Sequence, residues 1–491
     1  MARSKKPVAF APFEPDKAVV SGAAVEAKGV ISQAKRYAPL PSPTPYRNNT
    51  PINDTCLGAA SYYDSDNSPH IFLGDRSRLY KLINRVPTDV SRVAGYSVDA
   101  DWQWSFEQFN NHIVATARGL SDLQLFTLGS SSTFADIPDS PAADVVFRIR
   151  QQMFACQGIT VNVSAFNDPT DWAPDSATQA FQTTVNQKAG IVVAGLGGEQ
   201  GAIFQERGIV RLSFTGGDPP YIFDEVEGGR GAVSPSAVKA WGRGGFAVAE
   251  DGLYYFDGLE AQPIGQDKVD RYFANDLNHT FRARCVSAID PARKAWMIAY
   301  PGGSSTVCNR LLIFSMTDAR WTRDEFELDA LFEMPIEGIS GDDEEAIIDL
   351  LGTANADALN VSIDSPIWRE LRAQWACVTP ERIVNTFTGP NRPATIDTGE
   401  FEPNAGGQSY LSELLPLIDA PPSQITASVY GKPYRLEETP ILMDAAQMND
   451  YGICDVRAEA RFIRARFEIA EGCTWSEASG THWDAEASGA R

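Results

Sequence analysis

Ile203-Phe-Gln-Glu-Arg-Gly-Ile-Val-Arg-Leu-Ser-Phe214 is a strand, a polar turn and a second strand, and the pattern decides how the rest of the chain is read. After the turn Glu206-Arg207-Gly208, Ile209, Arg211 and Ser213 alternate with Val210, Leu212 and Phe214, which is the period of a strand and not of a helix. A second unit follows at once: Phe246-Ala-Val leads to Glu250-Asp251-Gly252, and the chain returns as Leu253-Tyr-Tyr-Phe256. Asp-Gly between apolar runs is a hairpin signal, because the glycine accepts the positive φ that tight turns impose.

Working outward, the first apolar pair of such a unit recurs at Ile71-Phe72, Ile113-Val114, Met153-Phe154, Ile203-Phe204, Phe246-Ala247, Met297-Ile298 and Ile347-Ile348, at separations of 42, 40, 50, 43, 51 and 50 residues. Four-stranded propeller blades repeat with about this period. The returning strands Leu79-Tyr-Lys-Leu82, Leu123-Gln-Leu-Phe126, Ile159-Thr-Val161, Leu311-Leu-Ile-Phe314 and Leu359-Asn-Val361 agree. The expected fold is therefore all-β: a β-propeller of about seven blades over residues 55–368, with an N-terminal extended arm (1–54) and a C-terminal β domain (369–491). A set of β-sandwiches with coincidental spacing is the competing architecture. Trp172, Trp321 and Trp368, near the ends of units, are expected to pack between blades.

The arm contains Tyr37-Ala-Pro-Leu-Pro-Ser-Pro-Thr-Pro-Tyr46, whose prolines exclude a helix or a central strand. Tyr37, Leu40 and Tyr46 are apolar anchors, so the arm is expected to dock on a neighbouring subunit, and its deletion to weaken assembly while leaving the monomer's melting temperature nearly unchanged. A floppy terminus is the simpler alternative. Beyond Trp368 the period is lost, and Thr388–Gly407 is rich in Pro and Gly. Gln424–Tyr430 reads as a short strand. Arg457–Ile469 reads as a long one whose alternation slips at Phe462-Ile463, the mark of a bulge.

Composition bounds the function. A formal net charge of −22, from 64 Asp and Glu against 42 Lys and Arg, argues against ordinary affinity for a phosphate backbone. No apolar run approaches the roughly 18 residues of a membrane-spanning helix, and no apolar stretch follows the basic start as in a signal peptide, so a soluble protein without a membrane anchor is expected. Cys56, Cys156, Cys285, Cys308, Cys377, Cys454 and Cys473 are scattered and read as reduced, mostly buried thiols; His70, His112, His279 and His482 lack metal-ligand spacing. No catalytic, cofactor-binding or metal-binding residue is assigned, and no cofactor is expected. Gly195-Leu-Gly-Gly198 reads as a turn because no helix pattern follows to cradle a phosphate. The crowded carboxylates of Gly341-Asp-Asp-Glu-Glu345 suit a solvated loop better than a divalent-cation site.

Four segments in order resemble the β-propeller tail nozzle and packaged-DNA stabilisation proteins of short-tailed bacteriophages: Ser164-Ala-Phe-Asn-Asp-Pro-Thr-Asp-Trp172, Ile203 through Thr215-Gly216, Glu250-Asp-Gly-Leu-Tyr-Tyr-Phe-Asp-Gly258, and Gly480-Thr-His-Trp-Asp-Ala-Glu-Ala-Ser-Gly-Ala-Arg491. The similarity runs from about Tyr37 to the C-terminus. It implies a non-enzymatic virion protein assembled in the host cytoplasm, usually a homohexameric ring beneath the portal and adaptor, with tail fibres or a needle as further neighbours. Such a ring retains packaged DNA and passes it at ejection without tight binding. The acid excess suits a channel face that is net negative; charge spread over the outer surface for solubility is the plainer alternative. A propeller glycosidase or glycan-binding tail protein is the competing function, because Asp168, Asp171, Asp251 and Asp257 sit at blade turns. Retaining hydrolysis needs two carboxyls about 5 to 5.5 Å apart, and the repeated Asp-box pattern of sialidases is absent. A cellular scaffold propeller is the third reading.

Overall fold

The computed structural model describes residues 5–18, 21–46, 49–199, 201–217, 219–336, 372–404, 407–435 and 439–488. Seven antiparallel four-stranded blades surround one axis, their innermost strands being Gly58–Tyr63, Ser105–Phe109, Val145–Ile149, Val192–Leu196, Val238–Trp241, Val286–Asp290 and Ala330–Ile336. The ring is closed: Ser61 Oγ of blade one donates to the Glu333 carbonyl of blade seven at 2.5 Å, and Ile71, Leu73 and Tyr80 share a core with Phe332, Met334 and Val378.

Six of the seven apolar pairs fall on the second strand of successive blades, from Ile71-Phe72 in Pro69–Gly74 to Met297-Ile298 in Ala295–Tyr300. Such strands read as apolar on both faces because each sheet is sandwiched between its neighbours. Both quoted turns are hairpins, joining Gly201–Gln205 to Gly208–Phe214 and Gly244–Ala249 to Gly252–Phe256. The second turn is buttressed by Asp270, from the α-helix Asp270–Asp276: its Oδ1 accepts the Leu253 amide at 3.0 Å, and a Cβ on Gly252 would stand 2.5 Å from its carboxyl carbon. Ile347-Ile348, Leu359-Asn360-Val361, Trp368 and the acidic run at 341–345 lie outside the described residues. The observed second strand of blade seven is Arg372–Val378, with Val384–Thr386 third. The propeller thus continues past residue 368, because the chain inserts residues 337–371 between the first and second strands of its last blade.

The N-terminal segment is extended, but its partners are in its own chain. Lys5–Ala9 pairs with Ala478–Ser488 of the C-terminal domain, and Val30–Gln33 and Arg36–Pro39 join the same sheet. Thr44–Pro45 is the fourth strand of blade seven, opposite Asn385 and Thr386. Ala27–Lys28 lies between two domains: Lys28 pairs in parallel with Arg323 on the outer strand of blade six, and Ala27 and Lys28 pair antiparallel with Ile396 and Thr395. One sheet of nine strands therefore runs from the inner strand of blade six to Ile441–Gln447 at the far edge of the C-terminal domain. Tyr37 and Leu40 are fully buried within the molecule and Tyr46 is partly covered, so these anchors are already occupied and the boundary at residue 54 does not separate an arm.

The C-terminal domain is a sandwich. One sheet carries Gln408–Ile418, Cys454–Ala460 and Ala478–Ser488; the other carries Ala394–Asp397, Ile425–Lys432, Ile441–Gln447 and Phe462–Ile469. Leu411, Leu414, Val456, Ala458, Val429, Ala465 and Phe467 fill the space between. The same core continues into blades five and six through Trp296, Phe246, Phe314 and Trp321, so burial as well as pairing joins the domains. The alternation slip at Phe462 is not a bulge in one strand. Cys454–Ala460 belongs to one sheet and Phe462–Ile469 to the other, and the chain crosses at Arg461, as strands do where they turn a sandwich corner.

Charged groups bind the seam where Ala27–Lys28 enters. Arg323 donates from Nε and Nη2 to both oxygens of Glu26 at 2.6 Å and from Nη1 to Glu325 at 2.6 Å, while Lys28 reaches Glu325 at 2.7 Å. Burial alone pushes the Glu325 carboxyl up, but the hydrogen bonds from Lys28 and Arg323 outweigh it and hold the group at about 2.

Gly195-Leu-Gly-Gly198 forms the end of an inner strand and the turn after it. A Cβ on Gly195 would lie 2.0 Å from the Phe147 ring and one on Gly197 2.3 Å from the Arg148 carbonyl, so the glycines let blades three and four touch. Gly195→Val is expected to cost about 1–3 kcal/mol through overpacking, read as a lowered urea midpoint; an unchanged midpoint refutes this account of the glycine.

Candidate functional site

Every inner strand runs in the same direction, so all connections between blades lie on one face, here the linker face, and the first hairpin turn of each blade lies on the other. The axis is closed on the linker face. Gln103, just before the inner strand of blade two, is 5% exposed and reaches across the ring: its Nε2 donates to the Cys285 carbonyl at 2.8 Å and its Oε1 accepts the Ser236 amide at 3.0 Å. Those partners introduce blades six and five, on the opposite side of the ring. Arg284 and Asp101 form a second crossing at 2.8 Å. Beside them lies a cavity of about 40 Å3 lined by Cys56, Trp102, Gln103, Arg284, Cys308 and Asp329, room for one water or so. A side chain hydrogen-bonded across the axis leaves no bore for a polynucleotide.

Below this plug the inner strands carry Glu107, Arg148, Lys239 and Glu333, all half-buried by surface area. Arg148 Nη1 donates to the Gln108 carbonyl at 3.3 Å, and Glu333 Oε1 accepts the Ile289 amide at 3.0 Å. Burial pushes the Glu107 carboxyl up to about 7, against the Gln108 amide and the charge of Arg148. Burial likewise lowers the Lys239 ammonium from the usual lysine range, with Glu333 opposing. These groups, two acids and two bases, give the axis a polar lining of both signs.

The enclosed acids fix a pH dependence. Glu107 at about 7, and Asp270 and Asp329 at about 6, are all raised chiefly by burial, so the folded state holds their protons more tightly than the unfolded chain does. Their contribution is complete below pH about 4 and is lost as pH climbs through 6 to 7. The melting temperature is expected to fall between pH 5 and pH 8, and Glu107→Gln to remove about 2 kcal/mol of that loss. A flat profile over that interval for the wild type would count against the burial of these acids.

The four turn carboxylates are divided between blades three and five. Asp168 and Asp171 lie in the loop before the outer strand of blade three, where Asp168 Oδ1 accepts the Thr170 amide at 2.8 Å and Asp171 Oδ1 the Ala173 amide at 3.1 Å. Asp257 accepts the Leu259 and Glu260 amides at 2.8 and 3.0 Å. Asp251 stands at the opposite end of Gly252–Phe256 from Asp257, and so on the opposite face, 3.8 Å from Arg230. Three of the four hold their own turns together.

Trp172 packs between blades two and three, with Phe109, Val114 and Met153, and Trp321 is fully buried against Phe314 and Trp296. All seven cysteines are buried. Among the described residues no cluster of three His, Cys, Asp or Glu side chains could hold a metal ion, and no helix is long and apolar enough to cross a membrane. Sequence reasoning passed over Gln103, Glu107 and Lys239. Their signal was a polar residue at the head of, or within, an otherwise apolar blade-opening strand, as in Val145-Val-Phe-Arg148-Ile.

No family model matches the chain, and no curated protein matches it. Solved structures similar to it are propellers: the Cps50 (Swd1) β-propeller domain of Myceliophteria thermophila (7% identity, TM-score 0.37, covering 59% of this chain and 93% of that one), Saccharomyces cerevisiae Sqt1 (10%, 0.39, 74% and 100%), and BBS1N in complex with ARL6DN (6%, 0.40, 73% and 96%). At these values the likeness concerns the fold alone.

Proposed function

We propose that the protein is a structural component of the tail of a short-tailed bacteriophage: one subunit of a ring, six-membered in related tails, that sits beneath the portal and adaptor, retains packaged DNA and passes it at ejection. The observation that carries this reading is the weld between the domains. A nine-stranded sheet, a continuous core and a closed axis make one stiff body, which suits transmission of load. The four segments of the resemblance support it as framework positions. Ser164–Trp172 shapes the end of blade three, Ile203–Gly216 and Glu250–Gly258 are hairpins of blades four and five, and Gly480 onward enters the strand that Lys5–Ala9 covers.

Because Gln103 closes the propeller axis, the conduit in this reading lies between subunits and not through a blade ring. The acid excess favours a lumen that does not grip the duplex, since Lys and Arg at the wall would add salt-dependent affinity for each phosphate neutralised. Cryo-EM and native mass measurement of the protein, alone and with virion tails, test the proposal. A closed ring with a net negative bore, and no tight binding of duplex DNA at physiological salt, are expected. A persistent monomer absent from virion tails, or depolymerisation of host polysaccharide by the purified protein, would overturn it.

A further inference from the structure

The charged side chains of the axis stand at one level below the Gln103 plug. Ser105 Oγ accepts the Val146 amide and donates to the Val146 carbonyl, both at 3.1 Å, which sets the inner strands of blades two and three in register; two residues further down, Glu107 and Arg148 are neighbours. Ser287 Oγ donates to the Ser236 carbonyl at 2.9 Å and sets blades five and six, which brings Lys239 level with Ile289 and Asp290. Glu333 arrives from blade seven, its Oε1 on the Ile289 amide. Ala59–Tyr62, Phe106–Gln108, Arg148, Lys239 and Glu333 all keep part of their surface accessible, although they belong to the innermost strands of a closed ring. Below the plug the axis is therefore a blind well that opens on the face of the first hairpin turns.

Three of the four charged groups have partners. Glu107 Oε1 accepts the Gln108 amide at 3.1 Å, Arg148 Nη1 donates to the Gln108 carbonyl at 3.3 Å, and Glu333 holds the Ile289 amide at 3.0 Å. Among the described residues, Lys239 forms no hydrogen bond and no ion pair. Its ammonium nevertheless faces the axis: Glu333 is the charge that opposes the effect of burial on it, and the fully buried inner strand of blade six stands between their two strands, so the pair meets only through the well. Asp290, the other acid at this level, is committed to Arg293 at 2.6 Å. A half-buried ammonium without an acceptor is costly, and a ligand that supplies one relieves the cost.

We propose that the well binds a small monocarboxylate, of the size of formate or acetate, with Lys239 and Arg148 as its cationic donors. The charges agree. When Glu107 holds its proton, two cations face the single carboxylate of Glu333, and one negative charge balances the ring. Burial pushes Glu107 up to about 7, so the proton is present at mildly acidic pH; above that the ring balances itself without a ligand. The groups that face Glu107 are Tyr62 from blade one, Arg148 from blade three and Gln108 on its own strand. Uptake of the anion is thus linked to uptake of a proton, and binding weakens as pH rises through 7. The site does not depend on the tail reading and stands or falls without it.

Saturation-transfer NMR on the full chain at constant ionic strength, with formate and acetate as probes and methylammonium as the cationic control, tests the proposal. A dissociation constant on the order of 10 mM is expected for formate at pH 6. At pH 8 it should be about tenfold weaker, because the protonated fraction of a group titrating at about 7 falls by about that factor. Lys239→Met is expected to weaken formate about tenfold or more while leaving the melting temperature unchanged or higher, since it removes an unpaired charge. Glu107→Gln, which keeps the neutral form at every pH, should bind formate with a flat pH profile. Four results overturn the proposal: no saturable transfer up to about 200 mM formate, methylammonium binding as well as formate, a Lys239→Met variant that binds like wild type, or a wild-type profile as flat as that of Glu107→Gln. If Lys239→Met is destabilised, the contrast between the wild-type and Glu107→Gln pH profiles decides alone.

Discussion

Removal of residues 1–46 is expected to abolish cooperative folding. The segment supplies a strand to the C-terminal sandwich, the two residues that join blade six to that sandwich, and the fourth strand of blade seven. It also buries Phe10, Phe13, Val30, Ile31, Tyr37 and Leu40, each 2% exposed or less. At about 1.5–3 kcal/mol per buried side chain, these six contribute roughly 10–15 kcal/mol, as much as the whole net stability of a typical domain. The sequence alone suggested the opposite, an assembly defect with the monomer's melting temperature preserved. Calorimetry and limited proteolysis of the truncated chain should show no cooperative transition and rapid digestion, and a synthetic 1–46 peptide added back should restore protection. A truncated monomer melting within about 5 °C of the full chain, roughly what 1–2 kcal/mol moves a domain, would sink the prediction.

Asp397→Ala is expected to be the most costly single substitution at the seam, at about 3–5 kcal/mol. Asp397 is fully buried and holds Arg466 through Nε at 2.7 Å and Nη2 at 3.0 Å, with Arg464 Nε at 3.7 Å. Removing the carboxylate leaves two guanidinium groups facing each other in a partly dry site, which costs more than the pair itself contributes. The control is Arg36–Glu477, whose side chains are 56% and 52% exposed; deleting either is expected to cost under about 1 kcal/mol. Urea unfolding of both variants decides the matter, and equal, small losses would show that the seam does not depend on this carboxylate. Pairing Asp397→Leu with Arg466→Met should recover much of the loss, because what is costly is the unpaired charge and not the absence of ions.

The blades were legible because their information is local. Alternation in Ile209–Phe214, Asp251-Gly252 at a turn and the spacing of apolar pairs all express contacts within about ten residues, where backbone geometry and the period of 2 leave few alternatives. The slip at Phe462 was also visible, but alternation along one strand is the same whether the strand bulges or leaves for another sheet. Only the partners distinguish the two: Ser409 opposite Ala460, and Lys432 opposite Phe462.

By itself, then, the amino-acid order determined an all-β propeller of blade-sized hairpins, its punctuation by Gly and Asp, and a chain with an acid excess. Tertiary structure decided the rest: that Thr44–Pro45 completes a blade whose other strands come some 300 residues later, that Lys28 joins two domains, and that Gln103 crosses the axis. Each of these depends on closure of the ring or stacking of the sheets. A two-residue strand such as Ala27–Lys28 carries no period of its own, and its pairing is worth little until the surfaces on both sides exist to bury it.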